Sequence, residues 1–402
     1  MQKRILITVG LVLILIILVV WGHPKYQRYK IVTQLFTGAE QMQYFSQMNR
    51  YFPTRSVDVS NMPRALAVGK KTSLPKSFVF QNKAILVTEF LAETDTSALL
   101  VMSNGSITHE AYWRSGGQNQ QWLSMSLGKS FVSALIGVAL DEGLIKSVDD
   151  NIADYLPELS DSAYDGVSIK HVLQMSSGAS WNEDYSDPNS DVNRLGRVFA
   201  LGGSLAKFTT TLESEFPPGS INRYNSGDTQ VLGMLLIRVT GMNLSDYMHE
   251  KLWQPMGATS QGYWLLDSKG QEIAFAGFNA TARDYAKLGE LYRLGGHYNG
   301  TQIIPSQWIK TSTTPTEPHL MPGNGPFITD FGYGYQWWVP SGQRGEYTAI
   351  GVYNQFIYVD PNSGTVIVKL SAFSDYATSS DASAYREGET IAFFREIIEH
   401  LK

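Results

Sequence analysis

Ser124-Met-Ser-Leu-Gly-Lys-Ser-Phe-Val-Ser-Ala-Leu-Ile-Gly-Val-Ala-Leu-Asp-Glu-Gly143 is the stretch on which the reading of this chain turns. Phe131, Val132, Ala134, Leu135, Ile136, Val138, Ala139 and Leu140 leave no wide polar face, which predicts a helix buried all round. Gly143 offers a C′ residue after Asp141-Glu142, and Ser124 or Ser126 can cap the other end. Residues i and i+3 share a helix face, so the Ser126 hydroxyl and the Lys129 amine are expected to meet at the start of a central helix. Burial disfavours an ammonium, and the positive end of the helix dipole pushes the same way. A neutral amine beside a serine hydroxyl is a general-base pair that activates a weak nucleophile.

Ser-x-x-Lys also occurs at Ser73–Lys76 and Ser204–Lys207, so the pattern alone is weak. The first contains Pro75, which argues against a shared helical face. The second runs into Thr209-Thr-Thr211, a poor helix interior. Only Ser126–Lys129 opens a long apolar helix; the bland alternative is a lysine that snorkels to water.

The chain has 402 residues, long for one core, with 43% hydrophobic and 17% charged residues. A net charge of -5 gives no sign of nucleic-acid binding. The absence of cysteine excludes cysteine catalysis, and no His-Glu-x-x-His occurs, so neither a metal nor another cofactor is expected. Ile5 to Trp21 is apolar or glycine apart from Thr8, and follows Lys3 and Arg4. With no small-x-small cleavage site after it, this run predicts an uncleaved N-terminal transmembrane helix, with a cleaved signal peptide as the alternative. The expected division is then a membrane anchor at 1–22, a stalk and early helix at 23–80, and a catalytic domain at 81–402. On this reading the protein is a single-pass cell-membrane protein with its catalytic domain periplasmic or extracytoplasmic.

Strand patterns appear at Ala84–Phe90, Leu99–Met102 and Ser106–Trp113, the last two joined by the turn pair Asn104-Gly105. Strands return at Tyr333–Val339, Asn354–Val359 and Thr365–Leu370. A closing helix from about Gly388 presents Ile391, Phe394, Ile397, Ile398 and Leu401. The text between about 144 and 320 is mostly helical. The expected fold class is α/β of the α+β type: an antiparallel sheet flanked by helices, plus an all-helical lobe.

Three motifs, in this order, carry a resemblance. Ser126-Leu-Gly-Lys129 is similar to a Ser-x-x-Lys motif. Tyr224-Asn-Ser226, with Gly227 to Gly233 after it, is similar to a Tyr-x-Asn motif and the helix beyond. Ala349-Ile-Gly351 lies where a Lys-Thr-Gly strand is expected. From about residue 80 onward the chain thus resembles the serine β-lactamase and penicillin-binding-protein superfamily, with its β-lactamase/transpeptidase-like fold. The likeness is to the class C-like branch of esterases and 6-aminohexanoate-dimer hydrolases (nylon oligomer hydrolases). It departs in having no Tyr-x-Asn and no Lys-Thr-Gly anywhere, so the cation that helps hold a β-lactam carboxylate is missing.

The resemblance implies Ser126 as nucleophile, Lys129 as base and Tyr224 as proton relay, its phenol made more acidic by a neighbouring ammonium. Ser226 would orient Lys129 or the leaving group. The Ser126 N–H and one from Ala349 or Ile350 would form an oxyanion hole. Trp181, Asp184, Tyr185, Asn279 and Trp337 are candidates for the substrate wall. The implied activity is a serine hydrolase acting on small esters or amides without a cofactor. The rival readings are a peptidase for D-amino peptides or a penicillin-binding-like protein, and a non-catalytic binder of peptide or cell-wall fragments.

Overall fold

The structure, a computed structural model, describes residues 40–323, 330–376, 378 and 381–402, together with residues 8, 10, 19, 20, 22, 23 and 25–33. Its centre is an eight-stranded sheet. In chain order the strands are β1 (Ala67–Val68), β2 (Thr96–Ser103), β3 (Ser106–Tyr112), β4 (Phe331–Tyr333), β5 (Trp338–Pro340), β6 (Tyr347–Gly351), β7 (Gln355–Asp360) and β8 (Thr365–Ser371). The spatial order is β4-β5-β6-β7-β8-β2-β3-β1. Neighbours are antiparallel except β1 and β3. The two ends of the chain are sewn together at β8 and β2, where Val366 faces Met102 and Val368 faces Leu100. The β2–β3 hairpin turns at Asn104 and Gly105, with φ of 48° and 82°, the left-handed pair that a two-residue turn requires.

Both faces of this sheet are covered, so β8 and β2 read as continuous apolar runs rather than alternating ones. Leu100, Met102, Val366 and Val368 belong to one core; Leu99, Val101 and Ile367 belong to the core on the opposite face. Four longer helices matter here: α1 (Lys129–Asp141), α2 (Ser226–Thr240), α3 (Ala282–Arg293) and α4 (Glu387–Leu401). Helix α3 packs on β7 and β8, where its Gly289 sits directly against Val366 and Ile357. Helix α4 covers the other face, its Phe394 ring 5.5 Å from Phe356 and 5.3 Å from Tyr358. Helices α1 and α2 pack on each other, and nearly every residue of α1 is buried, as its composition requires.

Several expectations need correction. Among the described residues no helix is long and apolar enough to cross a membrane, which overturns the N-terminal transmembrane helix and the single-pass localisation; membrane association through such a helix is not shown. Most of the run Ile5–Trp21 lies outside the described residues. The helical residues at 25–33 carry Lys25, Arg28 and Lys30, and their Ile31 and Val32 are buried in the protein's own core. Of the run itself, Val19 and Val20 are exposed. Within the stretch divided off as stalk and early helix, a helix runs over Gln41–Ser46, and Phe45, Met48 and Phe52 belong to the main core.

The lobe is not all-helical. A four-stranded sheet joins Thr54–Val57, Gly262–Leu265, Phe278–Ala280 and Trp122–Leu123. Its strands are two to four residues long, too short for a period-of-two pattern to show. Ala84–Phe90 is a strand only over Lys83–Leu86 and then a helix, Val87–Glu93, which buries Val87, Phe90 and Leu91 at helical spacing.

The two sheets meet at the turn before α1. Trp122–Leu123 pairs with Phe278–Ala280, and the Ser124 N–H donates to the Phe278 carbonyl at 2.8 Å. From the other side Gly351 of β6 presses on the Ser124 carbonyl so closely that a Cβ there would collide with it. Gly351→Ala should therefore cost about 1–3 kcal/mol of stability through overpacking. Urea unfolding of the two proteins measures this; equal midpoints would show that β6 does not fix the turn.

Candidate active site

Met125 to Gly128 form a 3-10 turn, and α1 proper begins at Lys129. Neither Ser124 nor Ser126 caps the helix; the Ser124 hydroxyl donates to the Met125 carbonyl at 2.9 Å. Met125 has φ of 47°, a left-handed conformation that is strained for a side chain of this kind. The strain sits directly before Ser126, whose position is over-determined by the two sheets. Ser126 is 8% exposed and lines a small cleft of ≈ 50 Å³.

Lys129 lies beneath it, 1% exposed. Its amine donates to Ser226 Oγ at 3.0 Å. The Ser226 hydroxyl in turn donates to Glu183 Oε1 at 2.6 Å, and its backbone N–H to Glu183 Oε2 at 3.2 Å. Tyr185 donates to Oε1 at 2.8 Å, and the Trp181 indole N–H to Oε2. Burial pushes the Lys129 amine down to about 8, against the pull of Glu183 and Asp228.

Ser226 and Tyr224 owe their places to the start of α2. Asn225 caps that helix, accepting from Gly227 N–H at 2.7 Å. The preceding residues are laid on the segment Gln174–Met175: Asn222 Nδ2 donates to the Gln174 carbonyl and Arg223 N–H to the Met175 carbonyl, both at 2.8 Å. Tyr224 then enters the cleft, its ring stacked on Trp338 at 5.2 Å and edge-on to Tyr333 at 6.0 Å. Lys129 Nζ is 5.2 Å from its centroid. Burial pushes the Tyr224 phenol well above its usual value, Tyr333 and Glu183 add to this, and the Ser126 hydroxyl works in the opposite direction. The sequence reading expected a more acidic phenol; desolvation reverses the sign. Tyr224 is therefore a neutral phenol, a hydrogen-bond donor.

Of the other residues expected at the site, Ile350 and Tyr185 line the cleft. Ala349 is buried in β6 and does not line it, whereas Val352, beyond the strand end, does. Trp181 supports Glu183 from behind. Asp184 accepts from Ser186 within its own loop. Asn279 is buried in the small sheet, donating to the Gly277 carbonyl at 3.0 Å. Trp337 packs against Tyr292 and Tyr347, and its neighbour Trp338, the first residue of β5, reaches the cleft instead. Sequence reasoning missed Glu183, whose only signal was its place beside Asp184 and Tyr185. It also missed Tyr376, Tyr385 and Glu387, which reach the cleft from the far end of the chain.

A second buried carboxyl lies next to this network. Asp228 Oδ1 accepts from Ser177 at 2.8 Å and from Tyr164 and Asn225 at 3.0 Å, while Oδ2 has no partner among the described residues. Burial pushes Asp228 up to about 8, opposed by those bonds. A carboxyl whose pKa rises on folding takes up a proton, so its contribution to stability falls as pH climbs from about 4 to about 8. Asp228→Asn, near-isosteric with the neutral acid, should therefore gain on the wild type as pH rises from 6 to 8.5. Urea titrations at both values test this; an unchanged difference would mean that Asp228 is ionised in the folded protein.

The model of the family described as Beta-lactamase matches residues 86–390. A 6-aminohexanoate-dimer hydrolase of Paenarthrobacter ureafaciens is 32% identical over 295 residues, which cover 71% of this chain and 74% of that protein. Among solved structures, a Bacillus anthracis protein provisionally named a 6-aminohexanoate-dimer hydrolase superposes with a TM-score of 0.80 at 24% identity, over 91% of this chain and 96% of that one. A family VIII carboxylesterase does so at 0.59 and 16% identity, over 78% and 95%. The two structural likenesses carry the fold.

Proposed function

Since the chain belongs to the Beta-lactamase family and is a hydrolase of that fold, we propose that it cleaves small esters or amides through an acyl-enzyme on Ser126. The observation that carries this is the buried Lys129 amine, lowered to about 8 and held three residues from a cleft-lining serine that follows the strained Met125. Ser126 Oγ attacks the carbonyl carbon as its proton passes toward Lys129. Tyr224, a phenol at the cleft, hands a proton to the leaving group, and water then releases the acyl group by the reverse relay. Ser226 and Glu183 keep the Lys129 lone pair aimed. The Ser126 N–H and an N–H near Ile350 stabilise the oxyanion. The name of the Paenarthrobacter relative supports amides of amino acids as substrates. Among the described residues no Lys, Arg or His lines the cleft, which weighs against substrates anchored by a carboxylate, penicillins and D-amino peptides among them.

A fluorophosphonate probe followed by mass mapping should label Ser126, and Ser126→Ala should abolish both labelling and p-nitrophenyl butyrate hydrolysis. Label on another serine would refute the assignment. Because protonated Lys129 cannot act as a base, kcat/KM should fall on the acid side of about 8. Lys129→Arg, which stays protonated, should lose about 10²–10⁴-fold in acylation. Near-normal acylation by that variant would leave the lysine as a fixed cation only. Nitrocefin should be a poor substrate; turnover matching that of a good ester would overturn the argument from the missing cation.

A further inference from the structure

Ser73–Lys76, one of the two Ser-x-x-Lys copies outside the site, opens onto a second cavity. Ser73 Oγ lies 3.4 Å from His400 Nε2, while Lys76 stands on the cavity wall. The cavity is a trough of ≈ 710 Å³ between the loop at 74–76, the helix Val87–Glu93 and Trp113-Arg114, which follow β3. It shares no lining residue with the Ser126 cleft. Its walls are set by packing beneath. Val87 N–H donates to the Lys76 carbonyl at 3.0 Å, the Phe90 ring lies 5.2 Å from Phe78 and 5.4 Å from Phe393, and Arg386 donates to Glu93 at 2.9 Å. The trough is therefore formed before any ligand arrives.

Its surface is apolar and open to water. Leu91 is buried, but Leu86 is 48% and Trp113 36% exposed, with Leu74 and Ala92 beside them on the lining. Recessed apolar surface left in water marks a binding site, and the volume falls within the roughly 300–1,000 Å³ of small-molecule sites. Charge then selects the ligand. Among the described residues the lining carries Lys76 and Arg114 and no carboxylate. Arg114 is paired with Asp95 and donates to the Ala92 carbonyl at 3.3 Å. Lys76 is exposed with no ion pair among the described residues, so its ammonium is available to an anion. The matching ligand is apolar along most of its length and anionic at one end. Eleven lining residues fall well short of the roughly 20–30 that a protein partner covers on each side, which favours a small molecule over a second copy of the chain.

We propose that this trough binds a linear alkyl carboxylate, a free fatty-acid anion, with its chain on Leu74, Leu86, Leu91 and Trp113 and its carboxylate at Lys76. The proposal does not depend on the chemistry at Ser126.

Calorimetric titration of the full chain at pH 8 tests it, with octanoate, decanoate and dodecanoate each kept below its micellar concentration. One site per chain is expected, and each two added methylenes should tighten binding by about fifteenfold. Dodecyltrimethylammonium, of equal chain length and opposite charge, should bind about tenfold more weakly than dodecanoate. Leu86→Asp, at an exposed position, should abolish dodecanoate binding without changing the melting curve, and Lys76→Glu should weaken it about tenfold. No heat with dodecanoate, equal affinity across the three lengths, a cation bound as tightly as the anion, or binding unchanged in folded Leu86→Asp would each overturn the site. If Leu86→Asp does not fold, the chain-length series and the charge comparison decide on the wild type alone. Cosedimentation with phosphatidylglycerol vesicles without binding of dissolved dodecanoate would assign the trough to a lipid surface. A dimer in sedimentation equilibrium that Leu86→Asp breaks would assign it to a second copy. Either result overturns the proposal.

Discussion

The burial of one lysine amine is the constraint on which the site depends. Lys129 begins α1 at the meeting of both sheets, with almost none of its surface exposed. An ammonium there loses hydration that the single bond to Ser226 Oγ cannot replace. The protein answers with Glu183, held by Ser226, Tyr185 and Trp181, close enough to pull the amine part of the way back. The balance leaves an amine that changes state at about 8, whereas a lysine in water would stay protonated there.

That balance requires rigid placement of groups far apart in sequence. Glu183 arrives on a loop, Ser226 at the capped start of α2, and Ser126 on a turn gripped between Phe278 and Gly351. Gln336 ties the same elements together: its carbonyl accepts from Ser130 of α1 at 2.7 Å, its Oε1 from Thr229 of α2 at 2.7 Å, and its amide donates to the Leu173 carbonyl at 2.9 Å. Fully matched buried polar groups of this kind specify one packing, because any shift leaves a donor or acceptor without water or partner.

The parts legible in the sequence were those with long periodic or compositional signals. The buried helix after Ser126, the Asn104-Gly105 hairpin, the strands at Thr365–Ser371 and the closing helix are all of this sort. The four-stranded sheet was not legible, because pieces of two to four residues have no period. The N-terminal run misled because hydropathy measures what a residue prefers and not where the chain puts it: Val19 and Val20 are exposed. At the site, Trp337 was chosen over Trp338 for want of the strand register, and the sign of the Tyr224 shift was misjudged because burial cannot be read from a neighbouring charge. Glu183 and Glu387 carry no motif at all; only the fold brings residues more than two hundred positions apart to one cleft.

Asp228 is the second carboxyl that acts on the Lys129 amine, and burial limits how strongly it does so. If Asp228 were ionised, Lys129 would face two carboxylates and its ammonium would be favoured. Instead Asp228 is fully buried, its Oδ2 without a donor among the described residues, and its pKa rises to about 8. It serves Tyr164, Ser177 and Asn225 as an acceptor, and because burial favours its neutral form its pull on the Lys129 ammonium stays smaller than desolvation. The same Asn225 caps α2 and so sets Ser226, the residue through which Lys129 meets Glu183. The protonation state of one aspartate and the geometry around the Lys129 amine are thus linked through a single helix cap.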